Sequence, residues 1–146
     1  MNNIEISVYI PNYNYGEYIE NAIQSLYKQT FKKFEIIIID DGSSDKSFEI
    51  IKKYSSEKKK NLRIIHHKNK GLIKSSNIAI RASKGKYIMR LDADDYLKSN
   101  ALEKFYNAIS RDEEIAMVYS DFYIVDKDLK IIRREKKINL SKNTKL

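Results

Sequence analysis

Ile36-Ile37-Ile38-Ile39 runs without a break into Asp40-Asp41. A short, continuous, β-branched run is what a strand covered on both faces requires, and such strands sit in the middle of parallel sheets. What flanks this run supports the same reading. Ile4 to Ile10 predicts an earlier strand ended by Pro11 and Asn12, because proline lacks the donor that a continuing ladder needs. Leu62 to His66 and Tyr87 to Leu91 predict a third and a fourth strand.

Helical spacing fills the gaps between these strands. Ile19, Ala22, Ile23, Leu26 and Tyr27 predict a helix over about residues 16 to 29 with one buried stripe. Ser43, Ser44 and Asp45 are cap candidates for a second helix carrying Phe48, Ile51 and Tyr54. A third is expected from Gly71 to about Lys84, with Leu72, Ser76, Ala79 and Ile80 toward the sheet and Gly85 as its stop. Leu102, Phe105, Tyr106 and Ile109 mark a fourth. Ile115 to Val125 is β-prone, and Asp126-Lys127-Asp128 predicts a turn into Ile131 and Ile132. Strands alternating with helices predict an α/β, Rossmann-like fold: a mostly parallel sheet flanked by helices. Residues 1–132 are expected to form this domain.

Charge narrows the function classes. The 146-residue chain carries a formal +8, but +5 of it falls between Arg133 and Leu146. That pattern predicts a weakly basic domain with a basic tail over 133–146 rather than a nucleic-acid groove, so no nucleic-acid partner is expected. The tail could instead give peripheral contact with anionic lipid. With no cysteine, a disulfide framework, a thiolate zinc site and a cysteine nucleophile are excluded. The start has neither a basic segment nor an apolar run, which predicts a cytoplasmic protein. The glycines at 16, 42, 71 and 85 are isolated, so neither a P-loop nor a dinucleotide fingerprint can be built.

Chemistry concentrates after the strands. Asp40-Asp41-Gly42-Ser43-Ser44-Asp45 follows the second and Asp92-Ala93-Asp94-Asp95 the fourth. In an open α/β sheet the carboxyl ends of the strands line the ligand crevice, so both clusters and the Pro11-Asn12-Tyr13-Asn14 loop converge on one edge. Gathered carboxylates repel one another unless a cation sits among them, and Mg²⁺ or Mn²⁺ takes such oxygen ligands. Asp92 and Asp94, with one residue between them, can divide the work between a metal and sugar or ribose hydroxyls. A calcium loop is excluded, because Leu97 stands sixth from Asp92, where glycine is needed. Taken singly, each acidic cluster also suits a capped or solvated turn. His66 and His67 fit a strand end better than a metal site, and Tyr27, Tyr54 and Tyr106 fit core stripes, whereas Tyr13 falls in the converging loops.

In their order, Pro11-Asn12-Tyr13-Asn14, Gln29-Thr30, Asp40 to Asp45, Asn69-Lys70-Gly71, Gly85-Lys86-Tyr87 and Leu91 to Asp95 resemble the landmarks of family 2 glycosyltransferases, which have the GT-A fold. The resemblance covers residues 4 to 125. It implies transfer of a sugar from a nucleoside diphosphate sugar to an acceptor hydroxyl, with inversion and a divalent metal, in bacterial surface polysaccharide synthesis. It further implies that Pro11 and Tyr13 border the nucleoside and Asp41 bonds the base. Asp40 is a weaker candidate for that pocket. Asp92 and Asp94 would form the metal and donor motif, with Asp95 beside the diphosphate or metal.

Such enzymes continue into an acceptor-binding half that carries the general base. That half is expected to be missing or shortened here, so the fold is expected to be truncated on its C-terminal side. Asp121, Asp126, Asp128 and Glu135 are the only acids after Glu114, and none matches a base motif. The acceptor, a glycan or a lipid-linked one, is not named by these residues. A non-catalytic nucleotide-sugar-binding module, completed by a partner chain or by self-association, is the alternative, and a basic nucleic-acid-binding domain the second. An enzyme of this kind is expected in the cytoplasm, or at the inner face of the membrane.

Overall fold

The computed structural model describes residues 3–56 and 61–136. The chain forms two compact units, residues 1–104 and 105–146. The first contains β1 (Ile6–Asn12), α1 (Ile19–Tyr27), β2 (Phe34–Asp40), α2 (Ser47–Ser56), β3 (Leu62–His66), α3 (Leu72–Ala82) and β4 (Tyr87–Arg90). It also holds the start of α4 (Ala101–Ile109). The four strands make one parallel sheet in the order β3-β2-β1-β4. From β1 the chain builds outward to β3 and then crosses back, so the topological switch point lies between β1 and β4.

β1 and β2 are the central strands, and every residue in them is buried. Ile36 to Ile39 are fully covered, as their continuous apolar run requires. Pro11 does not end β1: it pairs in register with Ile39, and Asn12 pairs with Asp40. The missing N–H causes no loss there. Tyr9 offers its carbonyl to Leu91 on the β4 side, and Asn12 offers its own to Asp41 on the β2 side. Pro11 therefore faces the β4 side, where that pairing has already stopped at Tyr9 and Arg90.

α3 also departs from expectation. Its line toward the sheet is Ser75 and Ala79, both buried, with Ile78 and Ala82 partly buried, while Leu72 and Ile80 are about half exposed. Small side chains let the helix approach Tyr9, Ile37, Ile39 and Ile65, where isoleucine already fills the space above the sheet. Gly85 does not stop this helix, which ends at Ser83 with an ordinary extended backbone. Its requirement is closeness: a Cβ there would lie 2.6 Å from the Ser7 amide nitrogen and 2.7 Å from the Ile6 carbonyl carbon.

That approach serves a buried polar knot. Glu35 accepts from Ser7 Oγ at 2.7 Å, from the Lys84 amide at 2.7 Å and from Arg63 Nη2 at 2.6 Å. Burial alone would raise its pKa, but the bonds from Ser7, Lys84 and Arg63 win and hold it below its ordinary value. A depressed carboxylate contributes stability above its unfolded pKa and loses it as pH falls through the folded one. Glu35→Gln is therefore expected to lower the melting temperature at neutral pH, with the gap to the native chain closing as the pH drops below about 4. Thermal melts across that range check it.

In the second unit, β5 (Phe122–Val125) and β6 (Ile131–Glu135) form an antiparallel hairpin with an irregularity between Ile124 and Val125. Asp126 Oδ1 closes the turn by accepting from the amides of Asp128 and Lys130, both at 2.9 Å. The β-prone stretch from Ile115 yields strand only from Phe122 onward, because β6 offers partners to that part alone. The basic segment from Arg133 begins inside β6, and residues 137–146 lie outside the described residues. Among the described residues no helix is long and apolar enough to cross a membrane.

Candidate functional site

The carboxyl ends of β1, β2 and β4 open into a cleft of about 290 Å³ at the switch point. Pro11, Tyr13, Asp41, Asp92 and Asp94 all line it. Each is carried there by a different piece of local chemistry.

Asp41, the first residue past β2, is buried and fixed at both oxygens. Oδ1 accepts from the Lys70 amide at 2.7 Å and Oδ2 from the Gly71 amide at 2.9 Å, while His67 Nδ1 lies 3.2 Å from Oδ1. Gly42 makes this approach of two loops possible: its φ is +74°, and a Cβ would meet the Asn69 amide at 2.7 Å. Asp41 is thus a rigid acceptor with lone pairs to spare.

Asp40, one residue earlier, points elsewhere, as alternation along a strand demands. Asn12, Asp40 and His66 stand level across β1, β2 and β3. Asp40 Oδ1 accepts from Asn12 Nδ2 at 2.8 Å and Ser43 Oγ at 2.6 Å, and Oδ2 lies 2.8 Å from His66 Nδ1. It is fully buried and is absent from the cleft lining among the described residues. Its place is in the frame that holds the loops.

Asn14 works in the same frame, and sequence reasoning gave it no role beyond its motif. Its φ is +59°, a conformation that asparagine tolerates better than most residues. From there Oδ1 accepts from the amides of Ser44 at 2.8 Å and Asp45 at 3.3 Å, and its own N–H donates to Ser43 Oγ at 3.0 Å. Asp45 in turn accepts from the Gly16 amide at 2.8 Å and caps α2 by accepting from the Ser47 amide at 2.9 Å. Asn14 thereby locks the loop that presents Tyr13 and Tyr15 to the cleft. Asn14→Ala should cost about 1–3 kcal/mol through the positive φ and the lost acceptor. Asn14→Gly should recover part of this, and comparing the two melting temperatures checks the assignment.

The acidic loop after β4 is anchored from behind. Gln29, almost fully buried, donates Nε2 to the Ser25 carbonyl at 3.0 Å and the Lys98 carbonyl at 2.8 Å, and accepts at Oε1 from the Leu102 amide at 3.0 Å. Thr30 donates its amide to the Ser99 carbonyl at 2.8 Å, and Ser25 Oγ accepts from the Leu97 amide at 3.1 Å. Four bonds from one helix end therefore hold the segment that follows Asp95. This accounts for the Gln29-Thr30 landmark, whose partners lie some seventy positions away in sequence.

Within that loop Asp92 pairs with Arg90 Nε at 2.5 Å, and Asp94 is exposed. Asp95 is not part of the cleft lining among the described residues. Its carboxyl is pushed above its ordinary pKa by burial first, then by repulsion from Asp94 and Asp92. Among the described residues no three His, Asp or Glu side chains form a ready-made metal cluster. The donor set is nonetheless of the type a hard cation takes, and the mutual repulsion of its acids is what such an ion would relieve. Arg90, Leu72 and Ser75 also line the cleft, and nothing in their sequence spacing signalled it.

Comparisons with known proteins agree with this geometry. The family model described as Glycosyl transferase family 2 matches residues 7–145. Chondroitin synthase of Escherichia coli is 35% identical over 127 residues, which is 87% of this chain and 18% of that protein. Glycosyltransferase GlyG of Streptococcus pneumoniae serotype 4 is 35% identical over 122 residues, 83% of this chain and 40% of that protein. The chain thus spans well under half the length of these relatives.

Among solved structures, S. aureus TarS in complex with UDP-GlcNAc superposes with a TM-score of 0.66 at 32% identity, over 73% of this chain and 32% of that one. A mannosyltransferase of Pyrobaculum calidifontis, solved with GDP-Man and Mn²⁺, shares the fold at 23% identity and a TM-score of 0.59, over 63% of this chain and 28% of that one. The four-stranded parallel sheet with its flanking helices is the GT-A arrangement these structures have in common. With the ordered landmarks, the sheet and the matched family model in agreement, the chain belongs to the family 2 glycosyltransferases.

Proposed function

We propose that the cleft holds a nucleoside diphosphate sugar as donor for transfer to an acceptor hydroxyl, with inversion at the anomeric carbon. The carrying observation is that Pro11 and Tyr13 at the end of β1, Asp41 just past β2, and Asp92 and Asp94 after β4 meet in one cleft at the switch point. Tyr13, about half exposed, offers a ring face for the base. Asp41, already fixed by two backbone amides, offers its remaining lone pairs to base N–H groups. Uridine is the first base to test, because TarS at 32% identity was solved with UDP-GlcNAc.

Asp92 and Asp94 would hold Mg²⁺ or Mn²⁺ at the diphosphate, with Asp95 behind them. Such an ion, when bound, stabilises the charge developing on the departing nucleoside diphosphate. In the transfer, the acceptor oxygen forms a bond to the anomeric carbon as the bond from that carbon to the diphosphate oxygen breaks. The acceptor proton passes to a general base, and no acid of this chain is assigned that role. We place the reaction in surface polysaccharide synthesis in the cytoplasm, with a glycan or lipid-linked acceptor. Incubation with UDP-GlcNAc, Mn²⁺ and a panel of oligosaccharide acceptors, read by mass spectrometry, tests it. A product one sugar larger is expected; donor binding without any product would leave a nucleotide-sugar-binding module instead.

A further inference from the structure

The opposite edge of the sheet carries a second concavity that the donor cleft does not use. All four strands run parallel, so the chain enters β2, β3 and β4 along one edge. A cleft of about 620 Å³ opens there, bordered by Lys32, Lys33, Glu35, Arg63 and Lys84. The cations come from the loops before β2 and β4 and from the start of β3. Glu35 is the only acid bordering it among the described residues, and its charge is already met by Arg63, Ser7 and the Lys84 amide.

Exposed lysines are ordinarily solvated, and a convex basic face would deserve no more comment. Here the backbone that carries them is held around a hollow. Lys32 Nζ donates to the Gln29 carbonyl at 2.6 Å, and the Lys33 carbonyl accepts from the amides of Glu5 and Ile6. The Lys84 amide is held by Ser7 and Glu35. Among the described residues the ammonium groups of Lys33 and Lys84 have no anionic partner. Arg63 spends Nη2 on Glu35 and keeps other donors of its planar fork. Like charges converging on a hollow with apolar walls focus field into it.

We propose that this cleft is a second anion site, and that its ligand is a multiply charged phosphoryl group. Ammonium and guanidinium donors in excess, with the lone carboxylate neutralised, suit an anion whose every oxygen accepts. The hollow is roomier than one phosphate needs, which points to a polyphosphate chain or to the phosphate headgroup of a lipid. Binding there leaves the donor cleft open, since the two lie at opposite ends of the strands.

Calorimetric titration with tripolyphosphate, beside flotation with phosphatidylcholine vesicles with and without phosphatidic acid, tests the site at physiological ionic strength. Saturable one-to-one binding of tripolyphosphate assigns a free phosphate ligand. Flotation with phosphatidic acid vesicles without binding in solution assigns a headgroup. In either arm, K33E/K84E should weaken binding by about tenfold or more while UDP affinity stays unchanged. Should that variant fold poorly, K33Q/K84Q removes the same charges more gently. Binding in neither arm, or binding that survives both variants, would overturn the proposal.

Discussion

Asp94→Asn is expected to weaken the Mn²⁺-dependent binding of a nucleoside diphosphate by about a hundredfold, since a carboxylate facing a divalent ion contributes several kcal/mol. The side chain is exposed at the mouth of the cleft, and its loop is anchored by bonds to Ser25, Gln29 and Thr30. Stability should therefore change by no more than about 0.5 kcal/mol. Calorimetry with and without EDTA, beside a thermal melt, separates the two effects. Unchanged affinity in the variant would remove the metal from the account.

Asp40→Ala should do the reverse. Removing a fully buried carboxylate leaves Asn12 Nδ2, the Ser43 hydroxyl and His66 without their shared acceptor. Leaving buried donors without an acceptor costs about 1–3 kcal/mol each, together a large share of the roughly 5–15 kcal/mol that holds a domain together. The expected result is a strongly lowered melting temperature. Adding UDP and Mn²⁺ should raise it again in a concentration-dependent way, because Asp41 and Asp94 remain. A variant as stable as the native chain would show that Asp40 does not frame the loops.

These neighbouring aspartates also show what was legible beforehand. That both end a strand could be read directly, because Ile36 to Ile39 leave only one place for the strand to stop. Which of the two faces the cleft depends on strand parity, and parity depends on register with Asn12 and His66, which only the folded sheet supplies. The same limit applies to Pro11. Its missing donor argued for a strand end, yet the outcome hung on whether β4 extends far enough to need that donor, and it does not.

α3 failed for another reason. Counting large apolar residues selected Leu72 and Ile80, whereas the line that packs on the isoleucine-covered sheet is mostly small, Ser75, Ala79 and Ala82, with Ile78 adding the bulk. Bulk on one surface sets the size allowed on the other, and a single segment carries no record of it. Gln29-Thr30 was visible as a landmark, but its function rests on bonds to Lys98, Ser99 and Leu102. Local spacing cannot report contacts of that range.

In the proposed function the cleft at the switch point is a metal-assisted nucleotide site. Titration of the purified chain with UDP, GDP and dTDP, first with Mn²⁺ and then with EDTA, tests it most directly. Saturable binding of one nucleotide, lost when the metal is removed, is the expected result. A folded sample that binds none of the three would contradict it.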